Sequence, residues 1–278
     1  MQPEILQYVR ELDKRPYQDS GLSATARLEL QQALQQLPPR LQRALQERLV
    51  QISFIKGFMS SGMTDYVVGP DGLYAVMFIN ADIIGQSMSA LLTAKERTMY
   101  KPDQSGWQVQ IKTSPRMSAL TYILTHEAVH VLDLKERLTP YVEPSVIYWQ
   151  EKQPPAAEIE LFTDLWREYM QPAKAADFAL RSKVAFYGFR GGPLLTAAQL
   201  PQLYSDLQKS PWLSAYSTII WPEDLAELMT YASFSRNPSF QYSIELWQAG
   251  QRKQVYQPLQ FPGVKARLAR LQELQSLD

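Results

Sequence analysis

The sequence predicts an α+β fold, in which a small mixed sheet precedes a long central helix and further helices follow it. Two observations lead to this prediction. Between residues 51 and 112, polar and apolar residues alternate around a strong turn signal, whereas apolar residues recur at helical spacing on either side. We expect a single, mainly helical domain over residues 1–278 with two lobes. Residues 1–140 would hold the N-terminal helices, the sheet and the central helix, and residues 141–278 a helical lobe.

Residues 1–50 are predicted as helical. They are rich in Leu and Gln, and leucines from Leu28 to Leu45 recur at roughly helical spacing. Pro38-Pro39 divides the region into two helices, because proline lacks the N–H that a helix interior needs. We interpret these helices as a layer packed on the core rather than as a surface that binds a partner.

Four segments are predicted as strands. They are residues 51–55, 66–68, 73–79 and 107–112. The first and the last alternate in polarity, as half-exposed strands do. Gly69-Pro70-Asp71-Gly72 separates the second from the third, and this turn signal predicts a hairpin. Residues 90–100 fit either a helix or a strand.

The central helix follows the last of these strands. Ser114 can cap its N-terminus, Pro115 suits its first position, and the helix should end before Pro140. Four of its residues lie near one face that we expect to be buried. They are Leu120, Leu124, Ala128 and Val131. Later helices are predicted at residues 157–169, 200–207, 222–232 and 264–277, with loops at 153–155 and 186–193.

Composition excludes several classes of protein. The 28 basic and 28 acidic residues lack the basic excess of a nucleic-acid-binding protein. Without cysteine, disulfides, catalytic thiolates and cysteine-bound zinc are ruled out. No segment reaches the roughly 18 apolar residues of a membrane span. Charged residues from Glu4 to Arg15 are atypical of a signal peptide, so the chain as written is expected in the cytoplasm; an exported form that has lost its leader is the alternative.

Both histidines of the chain lie in one motif, His126-Glu127-Ala128-Val129-His130. On a helix, residues four apart share a face, so both imidazoles can bind one metal ion and Glu127 can reach a water on that ion. This HExxH pattern predicts a Zn²⁺ site at which Glu127 acts as a general base. The alternative is an ordinary pair of surface histidines.

A catalytic zinc ion needs a third protein ligand, which here must be a carboxylate because no other histidine and no cysteine remain. Two segments, Glu223 to Glu227 and Glu160 to Asp164, place two carboxylates four residues apart. In either segment, one carboxylate can bind zinc while the other accepts a hydrogen bond from a ligand imidazole. Asp133 can orient His130 or line the cleft; the alternative is a solvated residue that pairs with Arg137.

Two short stretches resemble the gluzincin clan of zinc metallopeptidases, in particular the group that includes the anthrax lethal factor catalytic domain and the Mlc titration factor metallopeptidases. One stretch is His126 to Asp133, an HExxHxxD pattern. The other is Glu223 to Glu227, similar to the group's E-x-F-A-E pattern with Leu225 in place of phenylalanine. Together they cover a small part of the chain, so the resemblance is at the level of the clan.

The resemblance implies a zincin-like domain with Glu223, rather than Glu160, as the third zinc ligand. It also implies that Glu227 supports a ligand imidazole and that Tyr216 donates a hydrogen bond to the oxyanion. Nothing else distinguishes Tyr216 among the 15 tyrosines of the chain, although an oxyanion needs a donor and zinc occupies both histidines. The interval between His130 and Glu223 is longer than in the family.

These patterns predict a zinc-dependent hydrolase, a metallopeptidase that cleaves peptide bonds with Glu127 as base. Its partner would be a peptide or protein substrate of unknown identity, which could pair in extended form with a sheet edge near the metal. Two alternatives stay open: an inactive zincin-like binding protein, and a zinc hydrolase that acts on another kind of carbonyl. The general base argues against the first, because binding alone does not need it.

Overall fold

The computed structural model describes residues 3–140, 144–150, 154–274 and 277–278, and these form a mixed α+β fold, as predicted. The α-helices are α1 (Pro3–Asp13), α2 (Ala24–Gln36), α3 (Pro39–Arg48), α4 (Met88–Arg97), α5 (Ala119–Glu136), α6 (Pro144–Gln150), α7 (Glu160–Thr163), α8 (Leu200–Lys209), α9 (Trp221–Ser235) and α10 (Pro262–Glu273). The strands are β1 (Gln18–Asp19), β2 (Leu49–Lys56), β3 (Gly62–Gly69), β4 (Gly72–Asn80), β5 (Tyr100–Lys101), β6 (Trp107–Thr113), β7 (Trp166–Glu168), β8 (Gln171–Pro172), β9 (Leu195–Thr196), β10 (Tyr242–Gln248) and β11 (Gln251–Tyr256).

The main sheet precedes α5 in the chain and has the strand order β1-β2-β4-β3. β2 and β4 are parallel and the other pairs are antiparallel, so the sheet is mixed, as predicted. The predicted hairpin is confirmed, with Gly69 paired to Gly72 across the turn between β3 and β4. α5 packs against β3 and β4, which places the central helix beside the edge strand of the sheet.

A second sheet, with the order β11-β10-β6, joins segments that are far apart in the chain. The strand predicted at residues 107–112 is confirmed as β6, but it pairs with β10 and not with the hairpin. Alternating polarity identifies a strand and its buried face, and it carries no information about the partner strand. The sequence predicts neither β10 nor β11. The pairing of β6 with β10 connects the two halves of the chain.

The N-terminal region contains three helices rather than two. The division at Pro38-Pro39 is confirmed: α2 ends at Gln36 and Pro39 opens α3. α1 is the additional helix, and its buried Val9 belongs to a small apolar cluster on β2 and β4. Residues 90–100, which fit a helix or a strand, are mostly the helix α4. Ser87 caps this helix, because its Oγ accepts a hydrogen bond from Ala90 N at 3.2 Å.

The helix α5 begins later than predicted. Its N-cap is Ser118 and not Ser114; the Ser118 hydroxyl accepts a hydrogen bond from Thr121 N at 3.0 Å. Ser114 instead accepts a hydrogen bond from Gln241 N at 2.8 Å, which ties this segment to the approach to β10. The four residues expected to be buried are fully buried. None of the described helices, α5 included, has the length and apolar composition to span a bilayer.

The helix predicted at residues 157–169 is wrong. α7 is a single turn, after which the chain forms the antiparallel pair β7–β8. Trp166 explains the difference, because its buried ring packs on Trp212 with the ring centroids 5.0 Å apart, and this tertiary contact outweighs the weak helical preference of the segment. The last three predicted helices are confirmed as α8, α9 and α10, although α10 ends at Glu273.

The predicted loops are partly described. Gln153, the first residue of the loop predicted at 153–155, lies outside the described residues. The loop predicted at 186–193 is confirmed apart from a short 3₁₀ turn over Phe189–Gly191. Tyr187 and Arg190 in this loop adopt left-handed backbone conformations, which non-glycine residues rarely do.

A buried ion pair fixes α10 against α9. Asp224 is fully buried, and its two oxygens accept hydrogen bonds from Arg267 Nη1 and Nη2 at 2.9 and 2.8 Å. Trp166 Nε1 donates a third bond to the same carboxylate at 3.1 Å. Buried charges are tolerated when they are paired and hydrogen-bonded, as Asp224 and Arg267 are here.

Asp224→Ala should lower the free energy of unfolding by roughly 3–5 kcal/mol, because it leaves the Arg267 guanidinium buried without its counter-charge. Arg270→Ala is the matched control, since Arg270 is about half exposed and its pair with Glu273 lies at the surface; its effect should be within about 1 kcal/mol. Urea unfolding followed by circular dichroism measures both, and equal effects would contradict the assignment.

A second buried carboxyl, Glu96 in α4, lies beside Tyr204, whose hydroxyl donates a hydrogen bond to it. Burial raises the pKa of Glu96 to about 7, although Tyr204 and Lys95 act in the opposite direction; Glu227 raises it further. Between its unfolded and folded pKa values, folded protein therefore holds a proton that the unfolded chain has released.

The free energy of unfolding should consequently fall as the pH rises from about 4.5 to 7, and this contribution should level off above pH 7. Glu96→Gln cannot ionise and still offers Tyr204 an acceptor, so its free energy of unfolding should fall less over that interval. Denaturant titrations at pH 5 and pH 7.5 compare the two proteins. Parallel pH profiles would show that Glu96 does not hold this proton.

Candidate metal centre

The two histidines lie one turn apart on α5 and face the first turn of α9. Their ring centroids are 5.1 Å apart and the rings are nearly perpendicular. The His126 side chain is 5% exposed and that of His130 14% exposed, so neither side chain lies on the open surface. The interpretation of the motif as two surface histidines is therefore wrong.

Glu223 completes the group. It stands in the first turn of α9, after Pro222, which suits this position because the first turn needs no proline N–H. Its Oε2 lies 2.9 Å from His126 Nε2 and 3.7 Å from His130 Nε2. Zinc bound about 2.0–2.1 Å from each ligand in a tetrahedron holds the ligands about 3.3 Å apart. The two distances bracket that value, and His126, His130 and Glu223 could hold a metal ion.

Glu160, the other candidate ligand, lies elsewhere. Its side chain is 73% exposed in α7, and its Oε2 is 3.8 Å from Arg270 Nη2. Asp164, the second carboxylate of that segment, is exposed as well. The geometry therefore brings Glu223, and not Glu160, to the two imidazoles.

The charges at the centre favour a cation. Burial lowers the pKa of His126, but the hydrogen bond with Glu223, the close contact with Glu227 and the charges of Glu223 and Glu127 outweigh it and raise the pKa to about 9. Burial raises the pKa of Glu223, yet hydrogen bonds from His126 and His130 bring it well below its ordinary value. Without a metal ion, the carboxylates thus stabilise a positive charge on the His126 imidazole. A bound metal ion would place its positive charge at the same position.

Glu227 lies one turn after Glu223 on α9. It faces His126 Nδ1, whereas Glu223 faces Nε2 of the same ring. Glu227 Oε1 is 3.4 Å from His126 Nδ1, a contact longer than an ordinary hydrogen bond. Ser214 Oγ donates to Oε2 at 2.7 Å, and the Tyr122 hydroxyl donates to Oε1. Glu227 is the carboxylate beside His126 Nδ1, a buried nitrogen that has no hydrogen-bond partner among the described residues, and the supporting role that the gluzincin resemblance implies stays a prediction.

Glu127 projects from α5 toward the edge strand β3. Thr64 Oγ1 donates a hydrogen bond to Glu127 Oε2 at 2.8 Å, which fixes the carboxylate. A Cβ atom at Gly62 would lie 2.6 Å from Glu127 Oε1 and 2.7 Å from Ile123 Cγ2, so only glycine permits this close approach. Burial raises the pKa of Glu127, although the charges of His130 and His126 lower it, and a raised pKa suits a general base.

Tyr216 lies in a 3₁₀ turn just before α9, with its ring centroid 6.0 Å from that of His126. Burial, followed by the charge of Glu223, raises its pKa well above the ordinary value, so the hydroxyl keeps its proton. Within the part of the chain that the structure describes, this hydroxyl makes no hydrogen bond. It is available as a donor.

Two other tyrosines that the residues alone could not separate from Tyr216 have different surroundings. The Tyr187 hydroxyl shares a hydrogen bond with Ser61 Oγ at 2.8 Å. Tyr231 is fully buried against Tyr242, with the ring centroids 4.5 Å apart. The Tyr231 hydroxyl also lacks a hydrogen-bond partner among the described residues, so what distinguishes Tyr216 from Tyr231 is the packing of its ring against His126.

Asp133 is fully buried, which excludes the solvated alternative. One carboxylate oxygen accepts a hydrogen bond from Thr139 N at 2.7 Å, and the Thr139 hydroxyl donates to the other. Asp133 thereby holds the turn in which α5 ends. Its predicted support of His130 stays a prediction.

Sequence reasoning missed several residues around the centre. They are Gly62 and Thr64 on β3, Lys95 on α4, Tyr122 on α5 and Ser214 before α9. Lys95 is the least expected of these, because lysine is rarely buried and this side chain is 6% exposed. None of the five lies in a recognisable motif, because all of them reach the centre through tertiary packing that no local pattern records.

Comparisons with known proteins found no match: neither a protein-family model nor a curated protein nor a solved structure corresponds to this chain. The likeness to gluzincins therefore depends on two stretches, His126 to Asp133 and Glu223 to Glu227, and membership of that clan stays a prediction. The convergence of His126, His130 and Glu223 is a separate observation, which does not depend on the resemblance.

Glu223→Ala should lose most of the bound metal, whereas Glu160→Ala should retain it, because only Glu223 lies against the imidazoles. Plasma mass spectrometry on tag-free protein supplied with zinc should find about one zinc ion per chain in the parent and in Glu160→Ala. Metal loss in Glu160→Ala alone would overturn the ligand assignment. No metal uptake by the parent would leave two histidines without a ligand role.

Proposed function

We propose that this chain is a zinc-dependent metallohydrolase that cleaves peptide bonds. The observation that carries the proposal is the convergence of His126, His130 and Glu223, with the buried carboxylate of Glu127 adjoining them. A site that only binds metal would not need this fourth group. Its hydrogen bond from Thr64 holds it in place, as expected of a residue that transfers protons.

Zinc is the metal that best suits the three donors. Two imidazole nitrogens and one carboxylate oxygen form a ligand set that zinc hydrolases use, and three protein ligands leave a position open. When bound, zinc polarises a carbonyl and lowers the pKa of water to about 7. His126, His130 and Glu223 would hold it, and Glu227 would keep the His126 ring oriented through Nδ1.

Glu127 is assigned as general base and then general acid. It takes a proton from the attacking water and delivers it to the leaving amine nitrogen, so that the carboxylate is regenerated at the end of the cycle. Its raised pKa, which burial causes, makes it a stronger base than an exposed glutamate. Because Thr64 bonds to Oε2, Oε1 is the oxygen left for the proton.

Tyr216 is assigned as the donor to the carbonyl oxygen. Negative charge develops on that oxygen as water adds, and a fixed hydroxyl stabilises it more than it stabilises the uncharged substrate. The raised pKa of Tyr216 keeps the phenol protonated, and its ring contacts with His126 and Phe186 hold it beside the centre.

The edge strand supports a peptide as the substrate. Among the described residues, β3 pairs with β4 on one side only, and its Gly62 and Thr64 adjoin Glu127. An extended peptide can add to such an edge through backbone hydrogen bonds, which would lay its carbonyl groups beside the base. β6, the strand that directly precedes α5 in the chain, lies in the other sheet, so we assign the sheet edge near the metal to β3.

Glu127→Gln should retain zinc and lose roughly 10²–10⁴-fold in hydrolysis rate, because glutamine keeps the shape of the side chain but cannot accept the proton. Digestion of a peptide library, read by mass spectrometry with and without a zinc chelator, measures the rate, and metal analysis of the same samples confirms the loading. Full activity in this variant would refute the mechanism.

Glu47→Gln is a suitable control, since this carboxylate is exposed and pairs with Lys135 on the outer side of α5. It should digest the library at the parent's rate. If the zinc-loaded parent cleaves no peptide in the library, the peptidase assignment fails, and the metal site would have to be assigned to another carbonyl substrate or to binding.

A further inference from the structure

A buried lysine, Lys95, lies next to the metal centre and contacts Glu227 rather than the metal ligands. Lys95 belongs to the last turn of α4, and its side chain is 6% exposed. Its Nζ lies 3.5 Å from Glu227 Oε1, donates a hydrogen bond to the Tyr122 hydroxyl at 3.3 Å, and sits 3.3 Å from the centroid of the Tyr216 ring. All three contacts are with residues that the metal centre uses.

We propose that Lys95 is a positioning residue of the metal centre, whose fixed positive charge holds Glu227 in place behind His126. The inference rests on the proposed metal site and assigns part of its affinity to a residue that binds neither metal nor substrate. It predicts that neutralising Lys95 weakens metal binding without touching any ligand.

The first argument is the shared oxygen. Glu227 Oε1 lies within 3.5 Å of Lys95 Nζ and within 3.4 Å of His126 Nδ1, so one carboxylate oxygen contacts both groups. The ammonium and the imidazole therefore act on the same oxygen from two sides. Ser214 Oγ holds the other oxygen at 2.7 Å, so the carboxylate has little freedom as long as all its partners are present.

The second argument is charge. Glu127, Glu223 and Glu227 are three carboxylates packed around the two imidazoles, and burying such a set without compensation is strongly unfavourable. A divalent ion and one ammonium together match three carboxylates. When Lys95 is neutralised, one buried negative charge has no counter-charge even with the metal bound. That charge is the carboxylate of Glu227, whose nearby ammonium group is lost.

The third argument is the ring of Tyr216. A cation 3.3 Å from the centroid of an aromatic ring is within the range of a strong cation–π contact, and burial removes the water that would weaken it. Lys95 thus contacts the proposed oxyanion donor as well as the carboxylate behind the ligand. One side chain from α4 links the two parts of the site that α9 and the turn before it contribute.

The test is a double-mutant cycle of Lys95→Met and Glu227→Gln, read as metal affinity by competition with a chromophoric chelator and as the visible spectrum of the Co²⁺-loaded protein. Lys95→Met should weaken Zn²⁺ and Co²⁺ binding by about 10–100-fold, the range for groups that support a ligand imidazole. Glu227→Gln should have a similar effect, and the double variant should be no worse than either single one. The Co²⁺ bands should shift in Lys95→Met because the His126 ring is no longer oriented.

Lys135→Met is the matched control. Lys135 is a partly buried lysine on α5 itself, but its ion pair is with Glu47 on the far side of the helix, at 2.9 Å. Its removal should leave metal affinity and the Co²⁺ spectrum unchanged.

Unchanged metal affinity in Lys95→Met, or effects of the two substitutions that simply add, would overturn the proposal. If Lys95→Met does not fold, the double variant decides: recovered folding, with both charges removed, supports the pairing, and continued failure to fold overturns it. A parent protein that takes up no metal would count against the proposed function, whereas a metal-binding parent with an indifferent Lys95→Met counts against Lys95 alone.

Discussion

The burial of charge where α5 packs on α9 is the constraint on which the rest of the structure depends. His126, Glu127 and Glu227 are nearly inaccessible to solvent, and buried ionised groups persist only when each has a partner. The surrounding elements supply those partners: β3 contributes the Thr64 hydroxyl, and α4 contributes the ammonium of Lys95. The packing of α5 against β3, α4 and α9 brings these groups together.

The close approach of the edge strand β3 to α5 has two consequences for the candidate centre. Gly62 lets β3 come near enough to α5 for Thr64 to bond to Glu127, and the same approach places the unpaired side of the strand next to that carboxylate. The sequence predicts the hairpin, because Gly69-Pro70-Asp71-Gly72 specifies a turn whatever its surroundings. It does not predict the close approach of β3 to α5, because nothing local distinguishes Gly62 from the other glycines of the chain.

Local patterns were sufficient for most of the helices, for the hairpin and for the positions of three residues of the candidate centre on α5, but they gave neither β10 nor β11 and predicted a helix where β7 and β8 lie. The spacing of His126, Glu127 and His130 fixes their positions on any helix, and an E-x-x-x-E helix can present Glu223 in the same way. Contacts between distant segments were not accessible. The β6–β10 pairing, the packing of Trp166 that ends α7, and the burial of Lys95 each depend on a partner far away in the chain. The prediction of Ser114 as the N-cap of α5 failed for the same reason, since the Ser114 hydroxyl accepts a hydrogen bond from Gln241 N.

The chain has only two histidines, and both lie in the candidate centre with their rings 5.1 Å apart. In a proton NMR spectrum, the imidazole ring protons of the entire protein would therefore come from this one place. Chemical shifts in that window report the tautomer and the occupancy of each ring directly, without isotope enrichment at selected positions or a chemical tag. The sparse use of histidine gives this molecule an intrinsic probe of its own centre.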